Sequence, residues 1–398
     1  MGQPSTNDAR RPIPSRRFFT SKLQRSRSFI ARSKSASPKL IYSFILLQLC
    51  VIFYPIARFA SKPLSLSILL AVVLISARTL ILNKRAAFRF LKMAPGHLIL
   101  ITAIILALGE NNTVATTYLV FLLLYLLLAS VIVDLQFKQD SWIPVYGGLL
   151  VALLIVAFAN SEWLQHLRGE DFFGIDLPNP SMGDLRQRAF FLHSNDMGIY
   201  CAGLAILCLR SSSSGWQLTC LRWAAVVALL WCTILSDSTT GEFAFAAGWV
   251  LTFIPVTWGL ASLALLFSAA FVSQMFFAAE VASYLQGGSF WWRYAMASDV
   301  ANASKAISFN PVSITGQASW THSLILDSRL MFGTLPTIGL FILFMMAIKS
   351  LSRPTAAGLL IVALCAVVQP AGAMPASFMM LAFGMLVATT PQVKTAAV

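Results

Sequence analysis

About a dozen apolar segments, each close to the length of a membrane-spanning helix, follow one another along this chain. A hydrocarbon core about 30 Å thick requires about 20 predominantly apolar residues per helix. We predict about twelve such spans, approximately at 41–60, 63–82, 93–109, 114–134, 142–160, 194–209, 221–235, 242–256, 258–277, 324–347, 355–369 and 375–390. The pattern predicts an all-α integral membrane protein with about 12 transmembrane helices.

The composition agrees with a lipid environment. Of the 398 residues, 58% are hydrophobic and only 11% are charged, and the mean hydropathy is +0.75. These values lie outside the range of ordinary soluble domains, which carry about 25% charged residues. Most of the chain is therefore expected to contact lipid rather than water.

The basic residues predict the orientation of the chain. Residues 1–40 contain ten Lys or Arg and one Asp. With twelve spans, the basic connections at 83–92, 210–222 and 349–353 fall on the same side as this tail, which places both termini in the cytoplasm by the positive-inside rule. Arg58 and Lys62 oppose that rule in a short connection. The predicted parts are a basic, disordered tail at 1–40, a transmembrane domain at 41–390 and a cytoplasmic C-terminal tail at 391–398.

Several classes of chemistry have no sequence support. The net charge of +14 reflects topology, and nothing in the tail resembles a folded nucleic-acid-binding module, so no nucleic acid is expected as a partner. A Walker loop and a dinucleotide fingerprint are both absent from the sequence, and no cofactor is predicted. The four His residues and six Cys residues show no metal-ligand spacing, so no metal is predicted, and the cysteines are interpreted as packing residues.

The polar residues gather in two long connections, about 161–193 and 278–323, which both face outward in this topology. Three of the four His residues lie in or next to these connections, beside most of the outward-facing Arg residues. Arg on the translocated side opposes the preferred orientation, and its planar fork of donors matches phosphate or carboxylate oxygens. Alternatively, the arginines of the first connection pair with the nearby acids Glu170, Asp171 and Asp184.

Three polar strings stand at predicted helix starts on the outer face. The first runs from Arg186 through Arg188, His193, Asn195 and Asp196 to Gly198. The second runs from Ser236 through Ser238 and Gly241 to Glu242. The third combines Trp292, Arg293 and Tyr294 with a stretch from Thr321 and His322 to Asp327, Arg329 and Gly333.

These strings resemble the O-antigen polymerase and ligase superfamily, and in particular the Wzy-type exopolysaccharide polymerases. Over about 186–345, Arg186, Phe190, Asn195 and Gly198 fall in register with the family's first motif, Ser236 and Ser238 with the second, and Arg293, His322, Leu324 and Gly333 with the third. The chain has Thr239 where the family often has Arg, and His193 where it often has Asn.

The resemblance implies a metal-independent glycosyltransferase in the bacterial inner membrane, acting in exopolysaccharide or O-antigen biosynthesis. Its substrate would be an oligosaccharide linked to polyprenyl (undecaprenyl) diphosphate, and a flippase and a chain-length regulator of the same pathway would be further partners. Arg293 and Arg186 would stabilise the departing diphosphate, and His322 would act as the base. The structural alternative for His322 is a hydrogen bond that caps a helix.

The remaining candidate residues are assigned to substrate binding. They are Arg188, His193, Asn195, Asp196, Ser236, Ser238 and Trp292. Asp196 is also an alternative base, and the tryptophans would stack on sugar faces unless they mark the headgroup belt. Three other functions stay open. They are a ligase that transfers finished polysaccharide to another acceptor, a multi-span transporter or flippase of lipid-linked glycan, and a membrane scaffold.

Overall fold

A computed structural model describes most of the chain as helices. The described residues are 38–92, 94–109, 142–159, 189–191, 194–210, 215–285, 288–303, 306–307 and 324–350, with scattered positions between 116 and 131. Every regular element in this part of the chain is a helix, which confirms the all-α class there. The tail at 1–37, the residues after 350 and most of the predicted connection at 161–193 lie outside the described residues.

The helices follow the apolar segments closely. In chain order they are α1 (Pro38–Ala60), α2 (Lys62–Leu82), α3 (Lys84–Lys92), α4 (Ala94–Gly109), α5 (Trp142–Ala159), α6 (Ser194–Arg210), α7 (Trp216–Leu235), α8 (Thr239–Phe253), α9 (Val256–Phe276), α10 (Ala278–Tyr284), α11 (Gly288–Ala303), α12 (Leu324–Phe332) and α13 (Thr334–Ser350).

Four of these helices are long and apolar enough to cross a membrane. Their apolar stretches are Pro63–Leu82, Trp142–Ala159, Trp216–Leu235 and Thr257–Phe276, each of 18 or 20 residues. At 1.5 Å per residue such helices are about 27–30 Å long, close to the thickness of the hydrocarbon core. The pair Ala86–Lys92 and Ala94–Gly109, bent by 61°, gives a fifth candidate if it is one span. The total of twelve spans stays a prediction.

One predicted span is divided in the structure. The segment 324–347 forms α12 and α13, which meet at Gly333. Gly333 has φ +88°, a left-handed conformation that favours glycine, and its N–H donates to the Arg329 carbonyl at 2.9 Å. The predicted outer connection 278–323 also contains regular structure, because α10 and α11 lie within it.

Helix α6 forms the centre of a first packing group with α1, α5, α7 and α8. From Asp196 to Cys208 every residue of α6 is buried, as expected for a helix that is enclosed on all sides. The Tyr200 hydroxyl donates to the Ile52 carbonyl of α1 at 2.6 Å, and the Cys208 thiol donates to the Pro144 carbonyl of α5 at 3.1 Å. The buried cysteines of α6 and α7, which are Cys201, Cys208 and Cys232, are not in disulfides.

Helices α9 to α13 form a second packing group. Phe271 of α9 stacks on Phe341 of α13, with ring centroids 4.1 Å apart. Two apolar clusters hold this group together. One contains Phe267, Phe271, Met275 and Ile325, and the other contains Ala278, Ala297, Val300, Leu326 and Leu330.

Candidate functional site

The structure describes the side chains of four candidate residues, and all four lie where α6, α7 and α8 meet. They are Asn195, Asp196, Ser236 and Ser238. Trp292 and Arg293 belong to α11, where the structure describes the backbone at these positions. The other candidates, which lie outside the described residues, are Arg186, Arg188, His193 and His322.

Two of the three sequence motifs touch each other. Ser238, at the N-terminal cap of α8, donates its hydroxyl hydrogen to Asn195 Oδ1 in the first turn of α6, across 2.9 Å. The same hydroxyl oxygen accepts the N–H of Gly241 at 3.1 Å, which is a helix-capping bond. Since one hydroxyl serves both contacts, the starts of α6 and α8 are fixed against each other.

Two glycines allow this close approach. A Cβ atom at Gly198 would lie 2.6 Å from Ser236 Oγ and 2.6 Å from Ser238 Cβ. A Cβ atom at Gly241 would lie 2.6 Å from the carbonyl carbon of Gly198 and 2.8 Å from its Cα atom. The two helices therefore cross with backbone in contact with backbone, and neither position has room for a side chain.

The short turn from α7 to α8 is built by the serines. Ser236 is fully buried and donates its hydroxyl to the Thr233 carbonyl at 2.6 Å, near the end of α7. Asp237 follows with φ +47°, a conformation that Asp tolerates better than most residues, and it is exposed. Both serines thus have protein partners, while Asp237 and Glu242 are exposed charged residues beside them.

Asp196 is a buried acid in the first turn of α6, with 3% of its surface exposed. The unpaired N–H groups at a helix N-terminus favour a negative charge there. The segment that leads into this turn is fixed by aromatic packing. Phe190 lies 4.8 Å from Phe191 and 6.2 Å from Phe158 of α5, and Phe191 lies 5.2 Å from Tyr200, measured between ring centroids.

The third motif belongs to the second packing group. Tyr294, next to Arg293 in α11, shares a hydrogen bond with Ser273 of α9, with 2.8 Å between the hydroxyl oxygens. Arg329 of α12 is 8% exposed and donates from Nη1 to the Met275 carbonyl at the end of α9, across 3.2 Å. A cation at a helix C-terminus is stabilised by the carbonyl groups that lack helical partners.

Sequence reasoning did not select Gly241, Tyr294 or Arg329, although all three lie inside the quoted strings. Arg329 carried a usable signal, because a charged residue inside an apolar helix has a high cost unless it has a partner. Gly241 carried none, since a glycine in an apolar helix does not reveal which backbone approaches it.

The described helices thus define an all-helical protein with several candidate membrane-spanning helices. No protein-family model, curated protein or solved structure matches this chain. Within the described residues, no group of three His, Cys, Asp or Glu side chains is placed to hold a metal ion.

Proposed function

We propose that this protein is a polysaccharide polymerase that joins oligosaccharide repeats carried on polyprenyl diphosphate, at the outer face of the bacterial inner membrane. The observation that supports the proposal best is the 2.9 Å contact between Ser238 and Asn195. These residues belong to two different motifs of the family resemblance, and a chance match would not require the motifs to meet.

The proposed reaction transfers the growing glycan to the non-reducing end of a second lipid-linked repeat. A hydroxyl oxygen of the acceptor sugar bonds to the anomeric carbon of the donor, and the bond from that carbon to the diphosphate oxygen breaks. The lipid diphosphate leaves with the bonding electron pair, and the hydroxyl proton passes to a protein base. The protein must therefore stabilise negative charge and accept one proton.

The proposed roles follow from these two needs. Arg293 and Arg186 bind the departing diphosphate, because guanidinium groups form paired hydrogen bonds to phosphate oxygens and keep their charge. His322 accepts the proton, because imidazole titrates near neutral pH. The adjoining N-termini of α6 and α8 add partial positive charge close to where the first two motifs meet.

The test is complementation of a polymerase-deficient cell with wild type, Arg293→Ala and His322→Ala at equal membrane expression. Each variant should lower the rate of polymer formation about 10²- to 10³-fold, because each removes a group that acts in the transition state. The measured quantities are polysaccharide length and the amount of lipid-linked single repeats on each side of the membrane. Lys305→Ala is the matched control, since it removes a cation from the same predicted connection and should leave polymer length unchanged.

The outcomes separate the alternatives. Long polymer with wild type, together with single repeats at the outer face with both variants, supports the polymerase. Single repeats at the outer face even with wild type would rule out the polymerase and favour a ligase, which transfers finished polysaccharide but does not make it. Repeats that accumulate on the cytoplasmic side would identify a flippase, and normal polymer with both variants would overturn the assigned site.

A further inference from the structure

Helix α3 is a short basic helix between two apolar helices. Its nine residues include four cations, Lys84, Arg85, Arg89 and Lys92, and no acid. At 3.6 residues per turn these four positions fall within about 140° of the helix circumference. Such a helix cannot lie in the hydrocarbon core, where each uncompensated charge is costly.

The backbone is interrupted at both ends of α3. Asn83 ends α2 by donating its N–H to the Thr79 carbonyl at 2.9 Å, and its side-chain oxygen accepts the N–H of Ala86 at 3.5 Å. After α3 the chain bends by 61° into α4. If α4 runs along the membrane normal, α3 lies about 30° from the membrane plane, which is the orientation of an interfacial helix.

One side of α3 is held by the protein. Ala86 is fully buried, and the ring of Phe90 lies 4.4 Å from the ring of buried His97 in α4, measured between centroids. These contacts fix the rotation of α3 about its own axis. The residues on its other side are therefore presented in a defined direction.

The outward side combines apolar and cationic groups. Phe88 and Leu91 are 59% and 66% exposed, and Lys84 and Lys92 are exposed beside them. Lys92 Nζ lies 4.7 Å from the centre of the Phe88 ring. Amphipathic helices of this composition place the apolar groups at the acyl boundary and the cations at the phosphates.

We propose that α3 is an interfacial helix that binds anionic phospholipid headgroups. The occupant is lipid rather than a protein partner for two reasons. The helix has four positive charges and no negative charge. The adjoining end of α2, an apolar candidate span, is also open to its surroundings, with Ile81 83% exposed. The inference is independent of the proposed polymerase activity.

The test uses the full chain with its cysteines replaced by Ala and a fluorophore on Leu91→Cys. The protein is reconstituted in vesicles that contain phosphatidylglycerol or phosphatidylcholine, each carrying a nitroxide near the headgroup at equal mole fraction. Phosphatidylglycerol should quench the fluorophore several-fold more strongly. High salt should weaken this preference, because the screening length falls from about 10 Å at 0.1 M to about 3 Å at 1 M.

The double variant Lys84→Gln/Arg85→Gln should lose most of this several-fold preference, because it removes two of the four cations that attract the lipid phosphates. The matched control is Arg16→Gln/Arg17→Gln, which makes the same charge change in the tail and should keep it. Any one of three results would overturn the proposal. The two lipids could quench equally, the double variant could retain the preference, or neither lipid could quench. The salt series, in which α3 keeps all four cations, tests the proposal even if the double variant misfolds.

Discussion

The crossing of α6 and α8 and the junction of α9, α11 and α12 use opposite means to bring helices together. At the crossing, Gly198 and Gly241 put backbone against backbone, and a single hydroxyl links the two helix starts. At the junction, long side chains fill the space, and a guanidinium reaches from α12 to a carbonyl of α9. The first arrangement is rigid and tolerates no added atom, whereas the second can adjust by side-chain movement.

The largest effect that this comparison predicts is for Gly241→Ala. The added methyl would meet the Gly198 backbone at 2.6 Å, and backbone cannot rotate away. We expect a loss of about 3 kcal/mol in the free energy of unfolding. The measurement is unfolding of the purified protein in a denaturing-detergent titration.

The matched control is Gly339→Ala in α13, where no atom other than the adjoining backbone of α13 itself lies within 4 Å of the added methyl. That variant should be at least as stable as wild type, because Ala has the higher helix propensity. If both variants unfold alike, the close crossing of α6 and α8 is wrong.

A smaller effect is expected at the junction for Arg329→Met, which keeps an unbranched apolar stem and removes the charge and donors. The Met275 carbonyl loses the Nη1 donor, so the free energy of unfolding should fall by about 2 kcal/mol. Arg329→Lys, which keeps a cation near the end of α9, should lose less than half of that. Equal losses in the same titration would show that the charge at this position does not stabilise the junction.

The smallest effect is expected for the hydrogen bond between Ser238 and Asn195. Ser238→Ala removes a helix cap and should cost about 1 kcal/mol. Because the two side chains are bonded, the costs of Ser238→Ala and Asn195→Ala should couple by about 0.5–1 kcal/mol in a double-mutant cycle. Ser238→Ala and Ser273→Ala lie in different packing groups and should add within about 0.5 kcal/mol. If Ser238→Ala couples with Ser273→Ala but not with Asn195→Ala, the contact between α6 and α8 is wrong.

Hydropathy predicted the long helices well. The predicted segments 63–82, 142–160 and 258–277 correspond to α2, α5 and α9. For α7 the sequence predicts a start at 221, because Arg222 suggests a connection, whereas the structure has the helix begin at Trp216. In the structure Arg222 lies inside the helix, with its guanidinium 5.8 Å from the Trp223 ring centre. A long cationic side chain can extend toward the interface while its backbone stays helical.

The break at Gly333 shows a different limit. The segment 324–347 is apolar on average despite Asp327 and Arg329, and its Gly333 stands out in the sequence only as the end of a motif. Average hydropathy is unaffected by the sign of φ at one residue. The hydrogen bond from the Leu335 N–H to the Ala306 carbonyl, 3.0 Å long, joins the start of α13 to the segment after α11, and this contact has no local signal in the sequence.

The sequence by itself determined which segments are helical and apolar, because a helix in lipid must satisfy its own backbone hydrogen bonds and present apolar side chains to the acyl chains. It also supplied the residues of three polar motifs. Only the tertiary structure decided that the first two motifs meet, with Asn195 and Ser238 joined across 43 positions of the chain. Such a contact depends on two helix surfaces packed together, and neither surface, built from glycine and short polar side chains, reveals its partner when it is considered alone.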